Sequence, residues 1–204
     1  MLMDFDNLIK KYDLNIKGVL HIGANSGEEY PDYLKNNIND MIFFEPIINS
    51  YYVLINNIKV GERVKAYNIA LGDMTGEIEI HVSTNGGASS SILEPQDHLT
   101  QYPRIHFNRK EMVKIDKLDN VGFNRDTFNL MNIDVQGYEL NVLKGAVNTL
   151  NTVDYIMTEI NKVHLYKEGV LESELDSFLS DFGFVRVETY WAGGTWGDAF
   201  YIKK

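Results

Sequence analysis

The chain has no cysteine among its 204 residues. That excludes a disulfide framework, a thiolate zinc site and a cysteine nucleophile within it. Basic residues are also scarce: 19 Lys and Arg face 29 Asp and Glu, for a formal charge of −10. No basic run interleaved with aromatics occurs, so neither nucleic acid nor an anionic membrane surface is an expected partner. The longest apolar runs, such as Met41 to Phe44, fall far short of the roughly 20 residues that a membrane helix needs. The opening Met-Leu-Met-Asp-Phe-Asp lacks the charged-then-apolar order of a secretory signal. These absences point to work in the cytoplasm. Internal repeats and low-complexity tracts are missing too. A hydrophobic fraction of 44% suffices for one ordinary packed core. One domain over 1–204 is expected, with a helical extension at 1–16 and an inserted hairpin and loop around 76–116.

What is present is alternation. Asp6 to Leu14 has Leu8, Ile9 and Tyr12 at helical spacing. Gly18 to Ile22 reads as a short apolar strand, Glu28 to Asn36 as a helix with Pro31 in its first turn, and Met41 to Phe44 as a buried strand. Asn49 to Ile58 is the next helix, and Val64 to Ala70 a third strand. Strand–helix–strand–helix–strand order is the mark of a parallel α/β sheet, and right-handed crossovers place both helices on one face. Glu77 to Val82 alternates polar and apolar residues and is expected to pair with Met112 to Ile115, across a long Gly- and Ser-rich loop from Ser83 to Pro95. The parallel pattern then resumes with a strand from Phe128 ending at Asp134, a helix over Tyr138 to Leu150, a strand from Val153 ending at Glu159 and a helix over Leu171 to Phe182 closed by Gly183. Phe184 to Tyr190 and Ala199 to Ile202 close the chain as an antiparallel hairpin.

Open α/β sheets bind ligands beyond the carboxyl ends of their strands. Four features fall there. The first turn, His21-Ile22-Gly23-Ala24-Asn25-Ser26-Gly27, lets backbone approach a ligand closely. It departs from the dinucleotide spacing G-x-G-x-x-G, with Asn25 and Glu28 at the second and third glycine positions. Glu28 also puts a carboxylate where a pyrophosphate would rest, which favours a ligand carrying positive charge. Glu45 ends the next strand, where an acid accepts both hydroxyls of a ribose. Asp134 and Glu159 end two later strands and face one cleft, where carboxylates serve as a general base or hold a divalent cation. Glu139 fits the positive end of its helix better than a catalytic role.

These blocks in this order resemble the FkbM family of S-adenosylmethionine-dependent methyltransferases. The resemblance runs from about Gly18 to Tyr201. It rests on Val19 to Gly27, Phe44-Glu45-Pro46, Asn68 to Asp73, Gly87 to Leu93, Leu118-Asp119, Asn132 to Leu140 with Leu143 to Ala146, and Thr158-Glu159. It implies a Rossmann-like class I fold, with a mostly parallel seven-stranded sheet ending in an antiparallel hairpin. It also implies S-adenosylmethionine as cofactor, held by His21, Gly23, Ala24, Asn25, Ser26, Gly27, Glu45, Pro46, Ala70, Leu71, Asp73, Ser90, Asp134 and Gln136. O-methylation of a hydroxyl follows from it, on a small-molecule or glycan acceptor. Many members begin the first block with Asp, which helps to hold the methionine amino group; His21 stands there in this chain, and only its neutral form can accept a hydrogen bond.

A neutral sugar hydroxyl is a poor nucleophile, so a base or a metal is expected. Asp134 is the first candidate, Glu159 its partner and His164 the runner-up. Asp134 and Glu159 are also the residues that would hold a divalent cation. His81, His98 and His106 carry less weight. Tyr190, Trp191 and Trp196 near the last turn either stack on a sugar ring or pack on the sheet. Two other readings compete: a nucleotide-dependent oxidoreductase of similar topology, and a non-catalytic methyltransferase-like binding protein.

Overall fold

A computed structural model describes residues 2–204. Seven strands form the main sheet: β1 (Gly18–Ile22), β2 (Asp40–Phe44), β3 (Val64–Tyr67), β7 (Leu130–Ile133), β8 (Tyr155–Asn161), β9 (Phe184–Ala192) and β10 (Trp196–Lys203), in the order β3-β2-β1-β7-β8-β10-β9. The first five positions pair in parallel, while β10 runs antiparallel to both β8 and β9. A second sheet joins β4 (Ala70–Leu71), β5 (Gly76–Val82) and β6 (Arg109–Asp116), with β5 and β6 antiparallel and Ile78 opposite Val113. This is a Rossmann-like α/β fold of the methyltransferase type.

Alternating side chains feed two cores. Val19, Met41, Phe43, Leu130, Met157 and Phe200 pack under α1 (Phe5–Tyr12), α2 (Tyr30–Lys35) and α3 (Ile48–Asn57). Leu20, Ile22, Phe44, Ile133 and Ile156 point the other way, to α5 (Glu139–Lys144), α6 (Val147–Leu150) and α7 (Glu172–Ser180). Such fully buried apolar side chains each stabilise by roughly 1.5–3 kcal/mol. Leu175 and Leu179 of α7 are buried and Phe178 packs beside them, as the helical spacing predicts. None of the described helices is long and apolar enough to cross a membrane.

Three expectations need correction. Val64 to Ala70 is not one strand: the chain leaves the main sheet at Tyr67 and enters the small one at Ala70. Asn68 causes the jump, its Nδ2 donating to the carbonyls of Glu45 (2.9 Å) and Pro46 (2.8 Å). The helix over Tyr138 to Leu150 is broken at Gly145-Ala146. There Gly145 lies so close to the neighbouring turn that a Cβ would stand 1.8 Å from the Gly72 carbonyl oxygen. Asp119 caps the second piece from outside, accepting from the amides of Asn148 (2.7 Å) and Thr149 (2.9 Å). Finally, Glu159 does not end its strand, because pairing with β10 carries β8 on to Asn161. The stretch after Pro95 also contains a short helix, α4 (Asp97–Gln101), that the sequence pattern did not indicate.

Candidate active site

The turn after β1 is shaped by left-handed backbone. Gly23 has φ +81, and a Cβ there would sit 1.8 Å from the Asp134 carbonyl oxygen. Glycine thus lets the ends of β1 and β7 lie against each other. Asn25 follows at φ 43, a conformation that asparagine tolerates better than most residues. This geometry aims the Asn25 amide at Glu45 Oε2 (2.9 Å), while the Ile47 amide donates to Oε1 (2.8 Å). Glu45 is buried and its carboxyl is pushed up to about 7 by desolvation, with the two amides opposing. Each oxygen has a second lone pair for a ligand hydroxyl.

The register of the sheet lines up the acids. Ile22 pairs with both Phe44 and Ile133, and Ile133 pairs with Thr158. One step beyond those pairs stand Glu45, Gly23, Asp134 and Glu159, and Glu159 faces Asp198 on β10. Four carboxylates therefore occupy one rung across the sheet, and all four are buried or on the cleft wall. Burial is the main cause that pushes Asp134 up to about 6 and Glu159 well above the usual carboxylate range. Gln136 joins these two, its Nε2 donating to Asp134 Oδ1 (2.8 Å) and Glu159 Oε2 (2.6 Å). Asn161 Nδ2 donates to the other oxygen of Glu159 (3.2 Å).

Glu139 stands in the first turn of α5, as expected, and has a second job. Its Oε1 accepts from the amides of Val135 (3.2 Å) and Gly137 (3.0 Å), so it staples the turn between β7 and α5. It is fully buried, and desolvation pushes it up to about 7. Among the described residues its Oε2 has no hydrogen-bond partner.

A cleft of about 200 Å³ opens along this rung. One end is apolar, with Ile69, Ala70, Leu71, Ile80 and Ile92 on its wall; the other is polar, with His21, Glu28, Glu29, Asp134 and Gln136. Glu45 stands between the two ends. Gly23, Ala24, Asn25, Pro46 and Ser90 also line it. Three residues expected at the cofactor are not on this wall. Ser26 lines a neighbouring groove under the Ser83 to Ala88 loop, Gly27 packs against Leu54, and Asp73 lies outside the cleft. The Ser-rich loop is bonded down: Ser83 and Ser90 hydroxyls are 3.2 Å apart, and Ser91 Oγ donates to the Gln136 carbonyl (2.7 Å).

His21 is on the wall but turned to a buried network. Its Nδ1 lies 3.3 Å from Tyr33 Oη and its Nε2 lies 3.4 Å from Asn132 Nδ2, while Glu29 Oε2 is 3.9 Å from Nε2. Burial lowers its pKa, so the ring is neutral. His164 is not brought to the carboxylates; its Nδ1 bonds the Gly169 carbonyl at 2.8 Å. Nor are the terminal aromatics free to stack as a group. Trp191 packs on the core under the Lys162 ammonium, Trp196 Nε1 donates to Tyr102 Oη (2.5 Å), and Tyr190 alone is exposed. Among the described residues, no group of three or more His, Asp or Glu is arranged to hold a metal ion. Sequence reasoning missed Asp198, Glu29 and Tyr166; the first lay outside the expected strand and the others had no motif to mark them.

Comparisons with known proteins give the family and the fold. Residues 21–186 match the model of the methyltransferase FkbM domain. A curated relative, the 2-O-methyltransferase NoeI of Sinorhizobium fredii (strain NBRC 101917 / NGR234), is 30% identical over 164 residues, covering 75% of this chain and 66% of its own length. The chain thus spans just under two thirds of that relative. Among solved structures, the N-methyltransferase NodS from Bradyrhizobium japonicum WM9 matches at TM-score 0.53 and 8% identity, covering 96% of this chain and 90% of that one. Magnesium protoporphyrin IX methyltransferase (ChlM) from Synechocystis PCC 6803, with bound SAM, matches at TM-score 0.52 and 8% identity, covering 91% and 69%. At such identity these two speak for the fold alone. With the cleft, its acid rung and the family match in hand, this chain belongs to the FkbM family of S-adenosylmethionine-dependent methyltransferases.

Proposed function

We propose that the chain methylates a hydroxyl oxygen, most suitably on a sugar or other polyhydroxylated acceptor, with Asp134 as the group that takes the hydroxyl proton. The observation that carries this reading is the half-buried Asp134 carboxylate on the cleft wall, one step beyond β7 and beside the glycine turn. The name of the NoeI relative, a 2-O-methyltransferase, supports oxygen as the accepting atom.

The cleft suits S-adenosylmethionine by its chemistry. Its apolar end takes an adenine, Glu45 accepts the ribose hydroxyls, and Glu28 and Glu29 supply negative charge for the ammonium and sulfonium. When bound, the cofactor supplies an electrophilic methyl group. The protein's part is to bind, orient and move one proton. His21 is neutral and occupied by Tyr33 and Asn132, so the acids of the cleft wall rather than His21 complement the methionine ammonium. Asp134 is pushed up to about 6, which leaves it ionised yet basic near neutral pH, as a general base requires. With the cofactor bound, the acceptor oxygen would take the methyl as the S–CH3 bond breaks and S-adenosylhomocysteine leaves, and its proton would pass to Asp134. Positioning supplies most of the remaining acceleration.

The test is a panel of sugar and other hydroxyl acceptors with labelled S-adenosylmethionine, run with and without chelator, on wild type and Asp134→Asn. The variant should lose about 10²- to 10⁴-fold in turnover while keeping cofactor affinity within about threefold. Full turnover by Asp134→Asn on an accepted hydroxyl would sink the base role. Label transferred only to nitrogen acceptors would sink O-methylation.

A further inference from the structure

Gln136 is held from every side. Its backbone is left-handed, at φ 56, a conformation strained for a non-glycine residue that persists where surroundings over-determine it. Here they do. The amides flanking it, Val135 and Gly137, both donate to Glu139. Its carbonyl accepts from Ser91 Oγ. Its side-chain oxygen lies 3.0 Å from the hydroxyl of Tyr166, which also reaches the Ser89 carbonyl at 2.7 Å. Its nitrogen donates to two carboxylates on neighbouring strands. A cofactor contact alone would not need this arrangement.

We propose that Gln136 is a positioning residue, whose amide holds Asp134 and Glu159 in a fixed mutual orientation, and that Tyr166 fixes which way round that amide sits. The inference rests on reading Asp134 as the proton acceptor. The logic is one of donors and acceptors. Two ionised carboxylates have only lone pairs, and on adjacent strands of one rung they repel. An amide nitrogen between them gives each a donor. A protonated Glu159 could instead offer its O–H to the amide oxygen and flip the group, releasing Asp134. The single Tyr166 proton, shared between the Ser89 carbonyl and that oxygen, favours the orientation that keeps the nitrogen turned to the carboxylates. Tyr166 is itself immobilised, 1% exposed and packed against the rings of His98 and Phe107.

The consequence is a selective effect on Asp134. A donated N–H favours the ionised form, so its loss raises the carboxyl. The charged side chains that act on Asp134 are acids: Glu159 and Asp198 along the rung, Glu139 on α5, Glu29 beside α2, and Glu45 on β2; the chain's terminal ammonium opposes them. None of these acids can replace the amide as a donor while ionised.

The experiment follows ¹³C resonances of Asp and Glu side-chain carboxyls against pH, in the ligand-free protein and its S-adenosylhomocysteine complex. Gln136→Met, nearly isosteric and without donors, should raise the Asp134 midpoint by about one to two pH units. Tyr166→Phe should raise it by less, and should speed solvent exchange of the Gln136 side-chain amide. Thermal midpoints report whether either variant is merely misfolded, and if Gln136→Met does not fold, Tyr166→Phe carries the comparison. An Asp134 midpoint that stays within about 0.2 pH units of wild type in the folded variants would overturn the proposal. Failure of wild type to bind S-adenosylhomocysteine would instead count against the reading of the cleft, since the ligand-free titrations still report on Gln136.

Discussion

Glu45 offers the sharpest single perturbation, because its two backbone bonds and its ligand-facing lone pairs can be separated. In Glu45→Ala, the amides of Asn25 and Ile47 lose their acceptor, and a bound ribose loses a charged partner for both hydroxyls. A hydrogen bond to a charged group contributes about 1.5–3 kcal/mol. Two such bonds on one carboxylate are not additive, so a combined loss of about 3 kcal/mol, or roughly 150-fold in Kd, is expected. Glu45→Gln should lose less in affinity but still some, because its NH₂ must oppose one of the two backbone N–H groups. Calorimetry with S-adenosylhomocysteine and an analogue lacking the 2′ and 3′ hydroxyls, on wild type and Glu45→Ala, forms a double cycle. A coupling of about 2 kcal/mol or more is expected. Wild-type affinity should also fall as pH drops through about 7, where the Glu45 carboxyl takes up a proton, and Glu45→Gln should lack that dependence. A coupling near zero would refute the reasoning, for Glu45 would then act only by shaping the turn.

The buried acids also make stability depend on pH in an unusual sense. Glu45 and Glu139 are raised from 4.5 to about 7, and Asp134 from 3.8 to about 6. Their folded forms hold protons that the unfolded chain has released, so stability is fullest below about 4 and falls as pH rises toward 7, by on the order of 3 kcal/mol for Glu45 alone. Urea unfolding of the ligand-free protein should give a higher midpoint at pH 5.5 than at pH 8; the opposite order would contradict the burial argument. Asp119→Ala removes the cap on α6 and the bond from Thr149 Oγ1. It should cost about 1–2 kcal/mol, or roughly 2–8 °C in Tm, and a calorimetric scan with no shift would show that α6 needs no cap.

Much of this was legible in residues whose signal is local. The alternation of Glu77 to Val82 found β5, the apolar spacing of Leu175 and Leu179 found α7, and the strand-end acid found Glu45. What escaped was set by distant partners. Nothing near Asn68 says that its side chain will bond the Glu45 and Pro46 carbonyls and stop a strand. Gly145 looks like any helix glycine until Gly72 is placed against it. Glu159 looked like a strand end because the length of β8 is decided by β10, more than 30 residues later. Asp198 was invisible for the same reason: only the hairpin register puts it opposite Glu159. The tie between Tyr166, Ser89 and Gln136 joins three loops, and no spacing rule could supply it.

The shared rung has one more implication, for how such a chain tolerates change. Strands lie about 4.8 Å apart and side chains alternate from face to face, so the acids are spaced by the sheet as by the teeth of a comb. One residue inserted into β2, β7, β8 or β10 would turn its tooth to the opposite face, among Ile22, Ile133 and their apolar neighbours. Length variation is therefore confined to the connections, and below the rung. The irregularity between Phe200 and Tyr201 has that position: it absorbs an extra residue of β9 two steps from Asp198 and leaves Asp198 opposite Glu159.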